Sequence, residues 1–189
     1  MKKYFFEVEE EFIGYIPRLI EKFNGKKLII SLIQESRELE SLYDIDEYII
    51  YDNSDVLTGI ISLEDAIINI EDNMDLLPSS YKKKVDFINH EFFENEIFKD
   101  YDYVFFLLDD ITNHDLNNET IPICDSPKAN KNNIICSKFE VKLVQNNKIY
   151  GFLNDNENDL VQLYENLEND KILDYNDFSF FQKIKSFLN

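Results

Sequence analysis

Two runs of consecutive apolar residues constrain the fold of this 189-residue chain most strongly. Residues 28–33 read LIISLI, and residues 101–110 read YDYVFFLLDD, which is the most hydrophobic stretch of the chain. A strand without polar alternation is typical of a parallel sheet that is covered on both faces. The two runs therefore predict strands that lie inside such a sheet.

Shorter strand and helix patterns alternate along the rest of the chain. Strand patterns occupy residues 4–8, 74–77, 119–124, 139–144 and 148–153, and helical spacing of apolar residues marks 12–23, 62–70, 82–98, 160–167 and 178–188. Ser62, followed three residues later by Asp65, is a helix-start signal. Alternation of this kind indicates βαβ units. We predict an α/β fold with a mostly parallel central sheet and helices on both faces, in one domain over residues 1–189 with an irregular segment at about 111–138.

The charge balance limits the classes of partner. The chain has 38 acidic residues against 19 lysines and arginines, and its formal net charge is -19. A surface of this sign repels nucleic acid and anionic lipid, so we expect no nucleic-acid partner and little membrane contact. The N-terminus lacks the apolar core of a signal peptide, and no apolar run approaches the roughly 20 residues that span a bilayer. These patterns predict a cytoplasmic protein.

Cysteines and histidines give no sign of a metal or cofactor site. Cys124 and Cys136 lack a CxxC spacing, so two reduced thiols are favoured over a metal site or a disulfide. His90 and His114 have no HExxH neighbours, and the nucleophile pattern G-x-S-x-G is missing from the sequence. We predict no catalytic, cofactor-binding or metal-binding residues and no bound cofactor.

Several segments together resemble one known family. They are NGKKLIIS at 24–31, YDNSDVLTGIISLEDAIINIEDNMDLLPSS at 51–80, YDYVFFLLDD at 101–110, KIYGFLNDNENDL at 148–160 and FSFFQKIKSFL at 178–188. In their order and content they resemble the MinD/ParA family of P-loop ATPases, above all its MinD and FlhG branches. The segment at 51–80 is the most similar. The resemblance implies a reduced, MinD-like version of the P-loop NTPase three-layer sandwich.

The chain departs from the family where the family binds phosphate. That family grips phosphate with a KGGxGKT loop, in which glycine amides and lysines surround the anion. The four glycines here, Gly14, Gly25, Gly59 and Gly151, are scattered, and the turn after the first strand carries Glu9, Glu10 and Glu11 instead. A carboxylate ~4 Å from a phosphate charge costs ~1 kcal/mol in water and several times more in a partly buried site. We therefore expect the turn to exclude ATP.

The other two family motifs also differ. The second strand ends in Ser31, Leu32, Ile33 and Gln34, where the family has an Asp pair. The family also has an aspartate in the motif of a later strand, and the matching position in this chain is Leu107. Asp109 and Asp110 lie just beyond it, either as a shifted remnant of the motif or, as we favour, as solvated residues at a strand end. The resemblance thus implies a P-loop ATPase domain that has lost its Walker A and switch motifs and is not an enzyme.

Three functions fit the sequence. The favoured one is a non-catalytic, MinD/ParA-like adaptor or regulator in positioning or assembly of a bacterial cell-envelope machine. The machine would be a division, flagellar, pilus, secretion or polysaccharide system. Its partner would be a protein, either an active MinD/ParA-like ATPase or a second copy of the chain. The alternatives are an acidic decoy that mimics nucleic acid and an enzyme with an unrelated small-molecule site.

The pattern at 178–188 favours core packing over membrane or partner contact.

Overall fold

The computed structural model describes residues 1–34, 36–81, 87–109, 116, 120–137 and 140–178. The chain divides into two compact units. The first comprises Met1–Gly14 and Asn24–Thr120, and the second comprises Tyr15–Phe23 and Ile121–Asn189.

Six α-helices and eight strands are assigned in the described part of the chain. The helices are α1 (Ile16–Ile20), α2 (Glu38–Leu42), α3 (Asn53–Leu57), α4 (Leu63–Ala66), α5 (Val141–Asn146) and α6 (Glu157–Glu168). The strands are β1 (Lys2–Val8), β2 (Lys27–Ser31), β3 (Ile68–Glu71), β4 (Met74–Leu77), β5 (Tyr103–Leu108), β6 (Ile121–Cys124), β7 (Asn132–Ile135) and β8 (Lys148–Phe152). Single 3₁₀ turns or short 3₁₀ helices lie at Glu10–Tyr15, Asp46–Tyr48, His90–Glu94, Glu96–Asp100 and Tyr175–Asp177.

The first unit is built on five strands in the order β3-β4-β2-β5-β1. Strands β4, β2, β5 and β1 run parallel to one another, and Phe105 of β5 lies opposite both Tyr4 and Ile29. Only β3 is antiparallel, and it pairs with β4 through a turn that contains Asn73 at a φ of 61°. Four parallel strands in a row explain why the middle of β2 and the whole of β5 are apolar or aromatic, because both faces of these strands are buried.

Aromatic side chains fill one face of this sheet. Phe5 and Phe106 stack with their ring centroids 4.8 Å apart. Phe93 and Phe98, from the two 3₁₀ helices before β5, meet Phe106 edge-on at 5.2 and 5.4 Å. All of these rings are almost or fully buried, so the short 3₁₀ helices cover the sheet as a longer helix would.

The second unit contains the parallel strands β6, β7 and β8, in that order, with α5 and α6. Gly151 of β8 lies against α6, where a Cβ would come within 2.9 Å of the Cβ of Leu163. A glycine is needed at this point because a side chain would push the helix away from the strand. Phe23, which follows α1, meets Tyr164 of α6 edge-on at a centroid distance of 4.9 Å.

Buried Asn133 joins the strands of the second unit to a loop. Its Nδ2 donates hydrogen bonds to the carbonyls of Lys128, Lys131 and Lys148, and its Oδ1 accepts one from the Lys128 amide. The side chain is fully buried and uses both ends of its amide. It therefore satisfies backbone groups that would otherwise be buried without partners.

The predicted fold class is confirmed. Within the two units, β3–β4 is the one antiparallel pair among the assigned strand pairs. The strands expected at 4–8, 28–33, 74–77, 101–110, 119–124 and 148–153, and the helix expected at 160–167, are all present, and all but the strand at 74–77 have shifted ends. Ser62 accepts a hydrogen bond from the Asp65 amide at 3.2 Å, as the helix-start signal predicts.

Four expected elements are wrong in part or in whole. The helix expected at 12–23 is a 3₁₀ helix up to Tyr15 and an α-helix only from Ile16 to Ile20. The described part of the helix expected at 82–98 forms two 3₁₀ helices, because the side chains of Asn89 and Asn95 each cap a new turn. The strand expected at 139–144 is helix α5, and the helix expected at 62–70 ends at Ala66 and continues as β3. The last helix, expected at 178–188, lies outside the described residues from 179 onward.

No helix among the described residues combines the length and the apolar character needed to cross a bilayer.

Candidate functional site

The turn that follows β1 is where the sequence resemblance places the family's phosphate loop. Residues 10–15 form a 3₁₀ helix directly after the strand. Phe12 and Ile13 are buried beneath it, and Glu10 and Glu11 are exposed. The Phe12 amide donates to the Glu9 carbonyl at 2.9 Å, so this backbone donor is used inside the turn. The exposed surface of the turn is therefore anionic.

Carboxylates near the ends of β5 and β1 accept hydrogen bonds from neighbouring segments. Asp109, which follows β5, accepts a hydrogen bond from the Gln34 amide beyond β2 at 2.8 Å. Glu7, the next-to-last residue of β1, accepts a hydrogen bond from the Thr120 hydroxyl at 3.2 Å. Asp109 is half-buried, so it is not the fully solvated strand-end residue that the sequence favours. In this structure it holds the end of β2 beside the end of β5.

The loops after β2 and β4 are linked by a second set of hydrogen bonds. Gln34 and Ser80 form a parallel bridge, and the Ser79 hydroxyl donates to the Ser36 carbonyl. The Ser79 amide donates to Oε1 of Glu40 in α2 at 2.6 Å. Ser79 and Glu40 are both fully buried, so this contact is shielded from water.

Glu40 is a buried carboxyl beside a buried part of an arginine. Among the described residues, its Oε2 and the Nε of Arg37 have no hydrogen-bond partner. Burial raises the pKa of Glu40 above its ordinary value of 4.5, while the Ser79 hydrogen bond and the Arg37 charge oppose the rise. A carboxyl that keeps its proton to higher pH avoids part of the cost of a buried charge.

Helix α3 is fixed to the same region by its first residues. Asp52 caps the helix by accepting from the Ser54 amide at 2.9 Å, and its backbone amide donates to Asp55 at 3.2 Å. Arg37 approaches Asp52 at 3.4 Å. The buried Asn53 side chain donates to the Ser31 carbonyl, the last residue of β2, at 2.6 Å. The segment that enters α3 is thereby held against the end of β2.

Two adjoining clefts open beside this region of the first unit. The larger, of about 780 Å³, is lined by Ser36, Arg37, Glu38, Ser41, Asp46, Ile49, Ile50, Asp52 and Tyr81. The smaller, of about 330 Å³, is lined by Ser41, Asp44, Asp46, Glu47 and Tyr48. Ser41 and Asp46 line both clefts, so the two clefts adjoin. Together they carry five carboxylates and one guanidinium.

The second unit has a cleft of its own. It measures about 530 Å³ and is lined by Tyr15, Cys136, Ser137, Leu153, Asn154, Asp155, Asn156 and Asp159. Asn154 donates to the Ser137 carbonyl at 2.8 Å and to Asp159 at 2.9 Å, and its Oδ1 accepts from the Asn156 amide at 2.7 Å. The polar groups at the mouth of this cleft are thus paired with one another.

The structure separates the residues that the sequence singled out. His90 is an exposed residue of a 3₁₀ helix, Cys124 is buried and Cys136 is half-buried. Asp110 and His114 lie outside the described residues. Sequence reasoning did not identify Arg37 and Glu40, because RELESL reads as an ordinary solvated helix and Glu40 meets Ser79 only in the folded chain.

Several solved protein structures are similar in fold to this chain. No family model matches the sequence, and no curated protein matches it. Among solved structures, the chain is similar to the MinD cell division protein of Aquifex aeolicus, with a TM-score of 0.60 and 14% identity over 92% of this chain and 99% of that one. It is also similar to a plasmid partition protein of Borrelia burgdorferi, with a TM-score of 0.58 and 16% identity over 89% of this chain and all of the other. A chain of the MinC:MinD cell division protein complex of Aquifex aeolicus gives a TM-score of 0.57 and 14% identity over 86% of this chain and 91% of that one.

These likenesses define the class of fold. The chain has the architecture of MinD and of plasmid partition proteins, and it spans nearly the full length of the structures that it matches. The MinD/ParA-like fold that the sequence resemblance implies is therefore confirmed.

Proposed function

We propose that this protein is a non-catalytic member of the MinD/ParA-like fold that acts through protein contacts. Its role would be that of an adaptor or regulator in positioning or assembly of a bacterial cell-envelope machine. The fold neighbours support the general theme, since they include a cell division protein and a plasmid partition protein. The MinC:MinD complex adds an example in which this fold binds another protein.

One observation carries the non-catalytic part of the proposal. The turn between β1 and the following helix offers Glu10 and Glu11 to solvent, and it contains no lysine or arginine from Glu9 to Tyr15. A phosphate placed ~4 Å from one such carboxylate is repelled by ~1 kcal/mol in water and by ~4 kcal/mol in a partly shielded site. Two or three carboxylates multiply this cost, and the turn has no cation to offset it.

The strand ends beside the turn support the same conclusion. Metal-bound phosphate needs carboxylates that are free to coordinate the ion. Of the two aspartates after β5, Asp109 is the one among the described residues, and it accepts a hydrogen bond from the Gln34 amide. The end of β2 offers Ser31, Leu32 and Ile33, of which the last two are buried apolar residues. Asp109 is thus engaged in a hydrogen bond, and Leu32 and Ile33 are buried in the core.

Isothermal titration of the purified protein with ATP and Mg²⁺ tests this proposal. We expect no measurable heat of binding at millimolar nucleotide. A saturable isotherm with a micromolar Kd would contradict the non-catalytic assignment. The protein-contact part is tested separately, by whether a host MinD/ParA-like ATPase or a second copy of the chain co-purifies with it in stoichiometric amount.

A further inference from the structure

The segment that leads into β2 contains the one Asn-Gly pair of the sequence, Asn24-Gly25. Both residues are exposed and lie outside the helices and strands, just before Lys27, the first residue of β2. Among the residues that the structure describes, neither the Asn24 side chain nor the Gly25 amide has a hydrogen-bond partner. The carboxamide and the backbone nitrogen that follows it are therefore both open to reaction.

The fold requires a glycine at position 25. Its φ is 131°, a backbone conformation that residues with a side chain rarely adopt. A Cβ at this position would come within 2.5 Å of Oδ2 of Asp102, the atom that accepts a hydrogen bond from the Lys26 amide. A larger residue would have to displace Asp102. Because glycine has no side chain, its own amide nitrogen is also unshielded from the neighbouring carboxamide.

We propose that Asn24 is a site of spontaneous modification through a succinimide. The Gly25 nitrogen attacks Cγ of Asn24 and closes a five-membered ring. The bond between Cγ and Nδ2 breaks, and Nδ2 leaves as ammonia together with the proton of the Gly25 amide. Water then opens the ring at one of its two carbonyl carbons. Opening at Cγ gives aspartate, and opening at the main-chain carbonyl gives isoaspartate, in which the main chain runs through Cγ.

A second asparagine followed by a small residue, Asn53-Ser54, shows how the fold can block the same reaction. Asn53 is buried, and its Nδ2 donates to the Ser31 carbonyl at 2.6 Å. The Ser54 amide donates to Asp52 at 2.9 Å. Both groups that would have to react are engaged, so we expect Asn53 to be protected where Asn24 is not.

The isoaspartate product would alter the support of β2. The Lys26 amide donates to the Asp102 side chain, and the Asp102 amide donates to the Lys26 carbonyl, both at 2.8 Å. This pair of bonds fixes the residue before β2 beside the residue before β5. Isoaspartate inserts one methylene into the main chain two residues before Lys26. The insertion changes how Lys26 meets Asp102, so the isoaspartate form should be less stable.

Peptide mapping of the full-length protein after storage in mildly alkaline buffer tests the inference. Cleavage after glutamate releases residues 22–35 and residues 48–64, in which Asn24 and Asn53 are the only asparagines. We expect residues 22–35 to yield two products of equal mass, aspartate and isoaspartate, with fragmentation placing the change at Asn24. The reaction should be at least about tenfold faster at Asn24 than at Asn53, which reacts only when the start of α3 opens.

Asn24→Gln is the matched variant. Its longer side chain would have to close a six-membered ring, which forms more slowly, and position 24 is exposed, so the fold should be retained. We expect the variant to stay unmodified at this position while the wild type reacts. The wild-type rate should also rise with pH, because the attacking nitrogen must lose its proton.

The site assignment is overturned if Asn24 stays intact, if Asn53 reacts as fast, if the rate does not depend on pH, or if Asn24→Gln is modified at the wild-type rate. The structural consequence is tested separately against Asn24→Asp, which has the charge of the product without the added methylene. We expect the isolated isoaspartate form to have a lower urea midpoint than Asn24→Asp. Equal midpoints would refute the described effect on β2.

Discussion

Replacing Glu40 should expose how the loops after β2 and β4 are held. Glu40→Leu removes the acceptor that the Ser79 amide uses at 2.6 Å, and both residues are fully buried. A buried donor left without an acceptor costs about 1–3 kcal/mol. In a chain of this length, a loss of about 2 kcal/mol lowers Tm by roughly 4–8 °C.

The matched variant Glu40→Gln separates the hydrogen bond from the charge. Its amide oxygen can still accept from the Ser79 amide, so the first contact is kept. The amide does not titrate, so the variant lacks the pH dependence that a buried carboxyl brings. We expect Glu40→Gln to be more stable than Glu40→Leu at every pH between 5 and 8.

The sign of the pH effect follows from the raised pKa of Glu40. Below its ordinary pKa of 4.5 the carboxyl is protonated in both the folded and the unfolded chain. Between 4.5 and the raised value, the folded chain binds more protons than the unfolded one, so rising pH lowers the free energy of unfolding. The wild type should therefore lose stability relative to Glu40→Gln as the pH rises from 4.5 through this window.

Urea unfolding of the three proteins at a series of pH values measures these differences. The difference between Glu40→Gln and the wild type cancels the titration of the other acidic residues, provided that they are unaffected by the substitution. The reasoning is refuted if Glu40→Leu is as stable as the wild type. It is also refuted if the difference between Glu40→Gln and the wild type stays constant or shrinks with rising pH.

Two further predictions concern the second unit. Gly151→Val should cost about 1–3 kcal/mol of unfolding free energy, because a Cβ would lie 2.9 Å from that of Leu163. Gly14→Ala, where the nearest atom is 3.9 Å away, is its control and should leave the urea midpoint nearly unchanged. Asn133→Ala should cost at least about 2 kcal/mol, because it leaves the Lys128 amide and several carbonyls without partners. Calorimetry that shows either damaging variant melting with the wild type would contradict the packing described.

The parallel strands were predictable because burial on both faces leaves a direct mark on composition. β5 is apolar or aromatic along its whole length and β2 from Leu28 to Ile30, and each strand was expected within a few residues of its observed bounds. β7 was missed because its sequence, NNII, begins with two asparagines. Asn133 is tolerated there only because its side chain bonds to the backbone of a loop, a long-range arrangement that no local pattern reports.

The errors in helix prediction have local causes. At residues 87–98 the apolar spacing suits a helix, but Asn89 and Asn95 accept hydrogen bonds from the amides of Phe92 and Ile97 and restart the turn each time. After Ala66, β-branched residues favour a strand, and pairing with β4 decides the outcome. In α5, Val141 and Leu143 alternate with polar residues and so suggest a strand, whereas the folded chain buries Val141 and Val144, which are three residues apart as in a helix.

The candidate site could be predicted only in part. The acidic turn at Glu9, Glu10 and Glu11 was visible because it interrupts an expected pattern of glycine and lysine. The buried pair of Glu40 and Ser79 joins residues 39 positions apart. Burial of a glutamate in a charged helix depends on that distant partner.

The central claim is that the turn after β1 binds no nucleotide. Amide chemical shifts of the isotopically labelled protein, followed during addition of ATP and Mg²⁺, test this claim at the residues concerned. We predict that the amides of Glu10, Glu11 and Gln34 do not move up to millimolar nucleotide. Saturable shifts centred on those amides would contradict the account.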